Sequence, residues 1–251
     1  GCGIVTLAVP ESLQPLLAVK LTEVMTKGIS EEEQGLLGGS KALAEISALA
    51  ETYDAVLIGP GLGRAEATQE LVRALLKAID KPLLLDADAI YALRGQPELL
   101  REAKHVPVLT PHLGEMAGLL GLSVADLRED LVGMAREAAA EYRAIFVVKS
   151  ECTLVAYPDG QVFFTTKGNA GMATAGSGDV LAGTIAGLMK ELPSDKAPLL
   201  GVYLHGMAGD LAYAEKAEGL IAGDILAKLP DARRKLKYMD EAIDMSLLKR
   251  Q

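Results

Sequence analysis

The stretch at 168–179, GNAGMATAGSGD, is the part of this chain best suited to chemistry. Glycine lets a backbone approach a ligand closely. Gly176, Ser177 and Gly178 run straight into a helical pattern at 180–190. Backbone N–H groups at such a junction form an anion hole that the helix dipole reinforces, and a phosphate fits it. No Gly-Lys-Ser/Thr follows, so this is not a Walker loop. Asp179 stands at the helix start. Beside a phosphate it would repel the anion unless it works as a base on an attacking hydroxyl or through Mg²⁺. The plainer alternative is a helix cap, but four glycines near the junction (168, 171, 176 and 178) exceed what a cap requires.

Four further stretches each follow an apolar run. Gly59-Pro-Gly61-Leu-Gly63 is either a ligand-approaching loop or a tight strand-to-helix turn; it is not G-x-G-x-x-G, so it does not support a dinucleotide Rossmann site. Asp86 and Asp88 are placed to hold a metal or a hydroxyl, although capping of a short helix at 89–93 is the plainer reading of Asp88. His112 and Glu115 are three apart and open a predicted helix, on one face of it. A Glu there can carry Mg²⁺ for a phosphate, and the alternative for the pair is a capping interaction. An exposed His after a strand is otherwise unneeded, which favours a functional role for His112. Lys149, Ser150, Glu151, Cys152 and Thr153 lie between a strand and a hairpin, where their backbone could grip a nucleotide; Cys152 also reads as a small buried residue. His205 reads as a satisfied core histidine.

The elements that must position these residues alternate. Short apolar runs at 55–58, 82–85, 106–109 and 144–148 predict strands, and helical spacing appears at 41–50, 65–79 and 124–142. Alternation of this kind predicts an α/β fold with a mostly parallel central sheet. Unbroken apolar strands imply helices on both faces. Residues 1–10 (Ile4, Val5, Leu7, Val9) read as a buried strand. Two β runs at 153–157 and 161–165 flank Pro158-Asp-Gly160 and predict a small hairpin late in the chain. Helices are expected at 180–190, 198–217 and 221–229. Ligands of open α/β sheets bind beyond the carboxyl ends of the strands, where all the stretches above fall.

The chain of 251 residues is 50% hydrophobic, which excludes a disordered segment. No linker or repeat divides it, so one domain over 1–251 is expected. No apolar run approaches the roughly 18 residues of a membrane span. Two cysteines and three scattered histidines argue against a disulfide framework or a zinc site. Lys plus Arg is 25 against 34 Asp plus Glu, a formal charge of -9. Nucleic acid is therefore excluded as a partner, whereas a small anion needs only a few local groups. A cytoplasmic protein is the expectation. The basic cluster Arg233, Arg234, Lys235 and Lys237 reads as a solvated helix face.

Together DAVLIGPGLG at 54–63, LDADA at 85–89, LTPHLGE at 109–115, KSECT at 149–153 and the glycine-rich block at 168–183 resemble the C-terminal, YjeF-type domain of ADP- or ATP-dependent NAD(P)H-hydrate dehydratase, in the ribokinase-like superfamily. The resemblance implies repair of NADHX and NADPHX, the hydrated and inactive forms of NADH and NADPH, by dehydration coupled to hydrolysis of ADP or ATP. It implies that Asp179 takes the proton from the hydrate's hydroxyl and that Gly61 or Gly63, His112 and Asp179 contact the hydrate. Lys149, Ser150, Glu151, Cys152, Thr153, Gly176, Ser177 and Gly178 would contact the adenine nucleotide, and Glu115 would support Mg²⁺. It further implies a homo-oligomer, often a tetramer. Three departures stand out. Ser150 replaces the family's Gly in Lys-Gly-x-x-Thr and Glu151 adds charge, and Ala175 stands where Gly is common. The family's first strand and Gly/Ala-rich helix, expected before 1–10, are absent, so either the chain is a fragment or another chain supplies them. Many members also carry an epimerase domain in front. The competing readings are a ribokinase-like kinase of a small alcohol or vitamin precursor, and a non-catalytic nucleotide-binding protein.

Overall fold

Along the strand Leu83–Leu85, Leu83 and Leu85 bury into one core and Leu84 into another; Phe146 and Val148 against Ile145 and Val147 repeat the split. Period-two alternation inside an all-apolar strand is what a sheet covered on both faces requires. The computed structural model describes residues 2–248, with side chains described through residue 237.

In chain order the elements are β1 (Thr6–Pro10), α1 (Gln14–Lys20), β2 (Met25–Ile29), β3 (Glu31–Glu33), β4 (Leu36–Leu37), α2 (Gly39–Ala50), β5 (Val56–Ile58), α3 (Glu66–Ala78), β6 (Leu83–Leu85), α4 (Asp88–Tyr91), β7 (Val108–Leu109), α5 (Leu113–Leu120), α6 (Val124–Glu129), α7 (Leu131–Tyr142), β8 (Ile145–Val148), β9 (Leu154–Ala156), β10 (Val162–Phe164), α8 (Ser177–Leu188), α9 (Ala197–Lys216) and α10 (Ala222–Leu248). Among the described residues the main sheet has six strands in the order β10-β9-β8-β7-β6-β5. β5 to β8 run parallel, and β9 and β10 are antiparallel, as the hairpin signal predicts. Residues of α3, α5 and α7 pack on one face. Residues of α8, α9 and α10 pack on the other. No described helix is long and apolar enough to cross a membrane.

Three expectations need correction. The segment 1–10 is not a buried strand: Ile4, Val5 and Leu7 are exposed and only Val9 is buried. The reason is that β1 pairs with β2 in a separate two-stranded sheet, outside the six-stranded one. Gly1 lies outside the described residues. The helix read at 124–142 is two helices, because the Asp130 side chain accepts from Gly133 N at 2.9 Å and starts α7 anew. The helix expected to stop at Leu229 continues through Pro230. Interior proline costs about 3 kcal/mol, but Ala232 is fully buried against the same core, so packing carries the helix past it.

Candidate active site at the carboxyl ends of the strands

The register of the parallel strands assembles the site. Asp86 N donates to Ile58 O, Thr110 N to Leu85 O, and Lys149 N to Pro111 O at 2.8 Å. An isolated parallel bridge pairs His112 with Lys149 beyond the strand ends. Residues 86, 110, 112 and 149, far apart in sequence, thus stand side by side at one edge of the sheet. A cleft of about 960 Å³ opens there, lined by both the strand-end residues and the glycine-rich loop.

The loop before α8 is clamped from below by α9. Asp210 accepts from Asn169 Nδ2 at 3.0 Å and from Gly168 N at 3.3 Å, and Asn169 Oδ1 accepts from Gly171 N. Gly206 and Gly209 on α9 make room: a Cβ at either would collide with Lys167 or Met172. Gly176 then takes the left-handed conformation (φ 86°) that the N-cap of α8 demands. Ser177 N turns back to Thr174 O, and Val180 N reaches Gly176 O. Gly178 and Asp179, in the first helical turn and lining the cleft, keep N–H groups with no carbonyl four residues back inside the helix. These N–H groups stand at the junction where the sequence leads one to expect an anion hole.

Asp179 does not cap the helix. No side chain caps α8, and the Asp179 carboxylate is exposed to the cleft with no hydrogen bond or ion pair to another described residue. His205 is buried beneath the same turn and holds Ser177 O through Nε2 at 3.0 Å. Burial pushes its imidazole down to about 4, with Lys149 adding to the effect against the Ser177 hydrogen bond, so the ring is neutral. The core-histidine reading of His205 therefore stands.

Lys149 points its ammonium between the strand ends and α8. Nζ lies 2.9 Å from Asp86 Oδ1, which also accepts from Thr110 Oγ1 at 2.8 Å. Ser150, Glu151 and Thr153 line the cleft as well. Cys152 does not: it is exposed, contrary to its reading as a small buried residue, and its thiol donates to Thr165 O. The extra charge of Glu151 is met by Arg128 at 3.3 Å. Its own backbone N–H, then Arg128, hold its carboxyl below the usual range.

His112 and Glu115 form the capping box that was the alternative reading. His112 Nδ1 accepts from Gly114 N and Glu115 N, and Glu115 Oε2 accepts from His112 N at 2.9 Å. The exposed His112 ring still borders the cleft. Glu115 Oε2 is engaged in the box, and Oε1 lies 3.4 Å from His112 Nε2. Among the described residues no group of three or more His, Cys, Asp and Glu could hold a metal ion. The protein side of this cleft therefore does not fit a dedicated Mg²⁺ cage.

Gly61 and Gly63 are not among the residues that line the cleft. They sit on an adjoining loop that Asp88 tethers, accepting from Gly63 N at 3.0 Å and Arg64 Nε at 2.9 Å. Asp88 thus does not cap α4, whose N-cap is Ala87. Sequence reasoning left Asp86 without a partner and missed Asp210 and Arg128; for Asp86 the signal was its place at a strand end.

Compared with known proteins, the pattern that defines the NAD(P)H-hydrate dehydratase family matches residues 1–231. The chain belongs to the NAD(P)H-hydrate dehydratase family. It is 44% identical over 245 residues to the bifunctional NAD(P)H-hydrate repair enzyme Nnr of Moorella thermoacetica, covering 97% of this chain and 46% of that one. It therefore spans about half the length of that relative. Among solved structures, the ADP/ATP-dependent NAD(P)H-hydrate dehydratase from Bacillus subtilis, co-crystallised with ATP/Mg²⁺, superposes with a TM-score of 0.77 at 30% identity, over 94% of this chain and 80% of that one. A ribokinase-like superfamily protein from Enterococcus faecalis superposes with a TM-score of 0.73 at 27% identity, over 94% and 78%. The dehydratase-family chain thus has the ribokinase-like α/β fold that its motifs imply.

Proposed function

We propose that this chain dehydrates (6S)-NADHX and NADPHX to NADH and NADPH, coupled to hydrolysis of ADP or ATP. The observation that carries the reading is Asp179: a carboxylate without a partner among the described residues, on the first turn of α8 at the cleft, with a lysine ammonium near the same turn. A cap or a structural ion pair would have engaged it. In the proposed course Asp179 takes the proton of the hydrate's hydroxyl as that oxygen attacks the terminal phosphoryl of the nucleotide. The bond from that phosphorus to the leaving nucleotide breaks, giving AMP from ADP or ADP from ATP. The phosphorylated oxygen then departs as phosphate while the neighbouring carbon loses a proton, which restores the ring double bond. The N–H groups at the start of α8 hold the transferring phosphoryl in a fixed, pre-oriented site.

Gly176, Ser177, Gly178 and Lys149 are proposed to hold the phosphates, with Ser150, Glu151 and Thr153 along the rest of the nucleotide; Cys152, which does not line the cleft, is assigned there on family likeness alone. His112 would border the hydrate. Gly61 and Gly63 are assigned to it on family likeness alone, because they are not among the residues that line the cleft. Mg²⁺ would be held mainly by the nucleotide's phosphates, with Glu115 contributing at most its Oε1, since Oε2 is engaged in the capping box. We take the cytoplasm as the working compartment, and family likeness supports a homo-oligomer, up to a tetramer. The test is to supply NADHX with ADP or ATP and measure free phosphate and NADH together. Equal amounts of both support the dehydratase. A stable phosphorylated product without NADH would instead mark a kinase.

A further inference from the structure

Lys149, proposed above to hold the phosphates, forms an ion pair in the cleft with Asp86, which has no part in the reaction as described. The Asp86 side chain is 2% exposed and that of Lys149 22%. Replacing a buried ion pair by well-packed apolar residues is often neutral or stabilising, so a pair as enclosed as this one is weakly accounted for by stability alone.

Four independent features aim it. Thr110 Oγ1 donates to the oxygen that Lys149 uses, fixing the carboxylate. Gly59 (φ 138°) lets β5 approach the Asp86 backbone, where any Cβ would collide with the Asp86 carbonyl. Ala87, lining the cleft, is held at φ 48° and ψ -116°, a conformation that residues with a Cβ rarely adopt. Opposite, α8 offers Gly178 to the ammonium, and a Cβ there would lie 3.3 Å from Lys149 Nζ. The ammonium is thus gripped from the sheet side and laid against the first turn of α8.

We infer that Asp86 is a positioning residue: it holds Lys149 Nζ at the anion hole, where the ammonium takes up the charge of the phosphoryl group being transferred. This rests on the reading above, in which that phosphoryl lies at the start of α8. Arg128, which also lines the cleft, is paired with Glu151 at its outer side and does not replace Lys149 in this role.

The test measures affinities for AMP, ADP and ATP by calorimetry, without NADHX, on the full chain and on Lys149→Ala and Asp86→Asn. NADH recovery is followed in parallel. Both variants are expected to weaken the nucleotide that bears the transferable phosphoryl about ten-fold or more, and the next shorter nucleotide less than about three-fold. Ethylammonium is expected to restore turnover to Lys149→Ala, which lacks the amine, and not to Asp86→Asn, which still has it. Should Asp86→Asn fail to fold, Thr110→Val keeps both charges and loosens the carboxylate; it is expected to shift the same affinity ratio in the same direction. Equal weakening of all three nucleotides, or an unchanged ratio, would overturn the assignment while leaving NADH recovery by the unaltered chain in place. Failure of the unaltered chain to bind any nucleotide would overturn the functional reading and this inference together.

Discussion

His205 shows how one buried side chain links stability to the site. Burial holds its imidazole near 4, whereas the unfolded chain titrates near 6.5. Between these values the unfolded state carries the extra proton, so stability is full above the window and falls as pH drops through it. The loss is on the order of 3 kcal/mol across the window. His205→Gln can keep a donor toward Ser177 O and cannot titrate. It is expected to flatten the slope of stability against pH between about 4 and 6.5, read by urea unfolding at a series of pH values. A slope unchanged from the parent would contradict the assignment. Asp179, on the first turn of α8, and Lys149, just past the end of β8, do different work: no side chain caps α8. Substitutions at Asp179 are accordingly expected to leave unfolding within about 0.5 kcal/mol of the parent, as for other exposed positions.

The element that decides the site is the loop before α8 rather than α8 itself. Asp210 on α9 holds both Asn169 and Gly168, and glycines on α9 let the loop lie against it. Asp210→Ala is expected to free the 168–176 backbone, raising its hydrogen-exchange rate and weakening nucleotide binding by about ten-fold, while β5 to β8 keep their protection. Protection that stays high in 168–176 would show that the clamp is not what orders the loop. Much at this scale was legible. The apolar runs read at 82–85 and 144–148 each predicted a strand, observed at 83–85 and 145–148, because a strand buried on both faces has no polar positions to blur the signal, and the Pro-Asp-Gly turn predicted the hairpin. β2, MTKGI, escaped notice because Thr26, Lys27 and Gly28 break any apolar pattern. The break at Asp130 was hidden within a continuous helical period, since a capping aspartate looks like any polar face residue. In the site, the glycine-rich block and Asp179 announced themselves locally. The Asp86–Lys149 contact spans 63 residues and exists only through strand register, which no local pattern reports.

For the whole molecule, the two cores on opposite faces of one sheet make the cleft a product of the fold, with walls drawn from both sides. A ligand that joins the β5–β8 ends to α8 therefore binds only the folded state. At a hundred times its dissociation constant it should add about 2.7 kcal/mol, which raises the unfolding midpoint by about 5–10 °C for a domain of this size. Thermal unfolding with ADP, ATP and AMP checks this, and no shift with any of the three would contradict a nucleotide site in the cleft. The net charge of -9 does not by itself oppose such binding, because Lys149 and Lys167 line the cleft beside the start of α8 and act on an anion locally. The central claim, that Asp179 at the anion hole drives nucleotide-dependent repair of a hydrated nicotinamide, is tested most directly by one assay. NADHX is mixed with Mg²⁺ and either ADP or ATP, and the near-ultraviolet absorbance of NADH is followed for the chain and for Asp179→Asn. Absorbance returning with one of the nucleotides, and falling on the order of 10²-fold or more in rate for Asp179→Asn, is the expected result. Recovery by Asp179→Asn at the parent rate would contradict it.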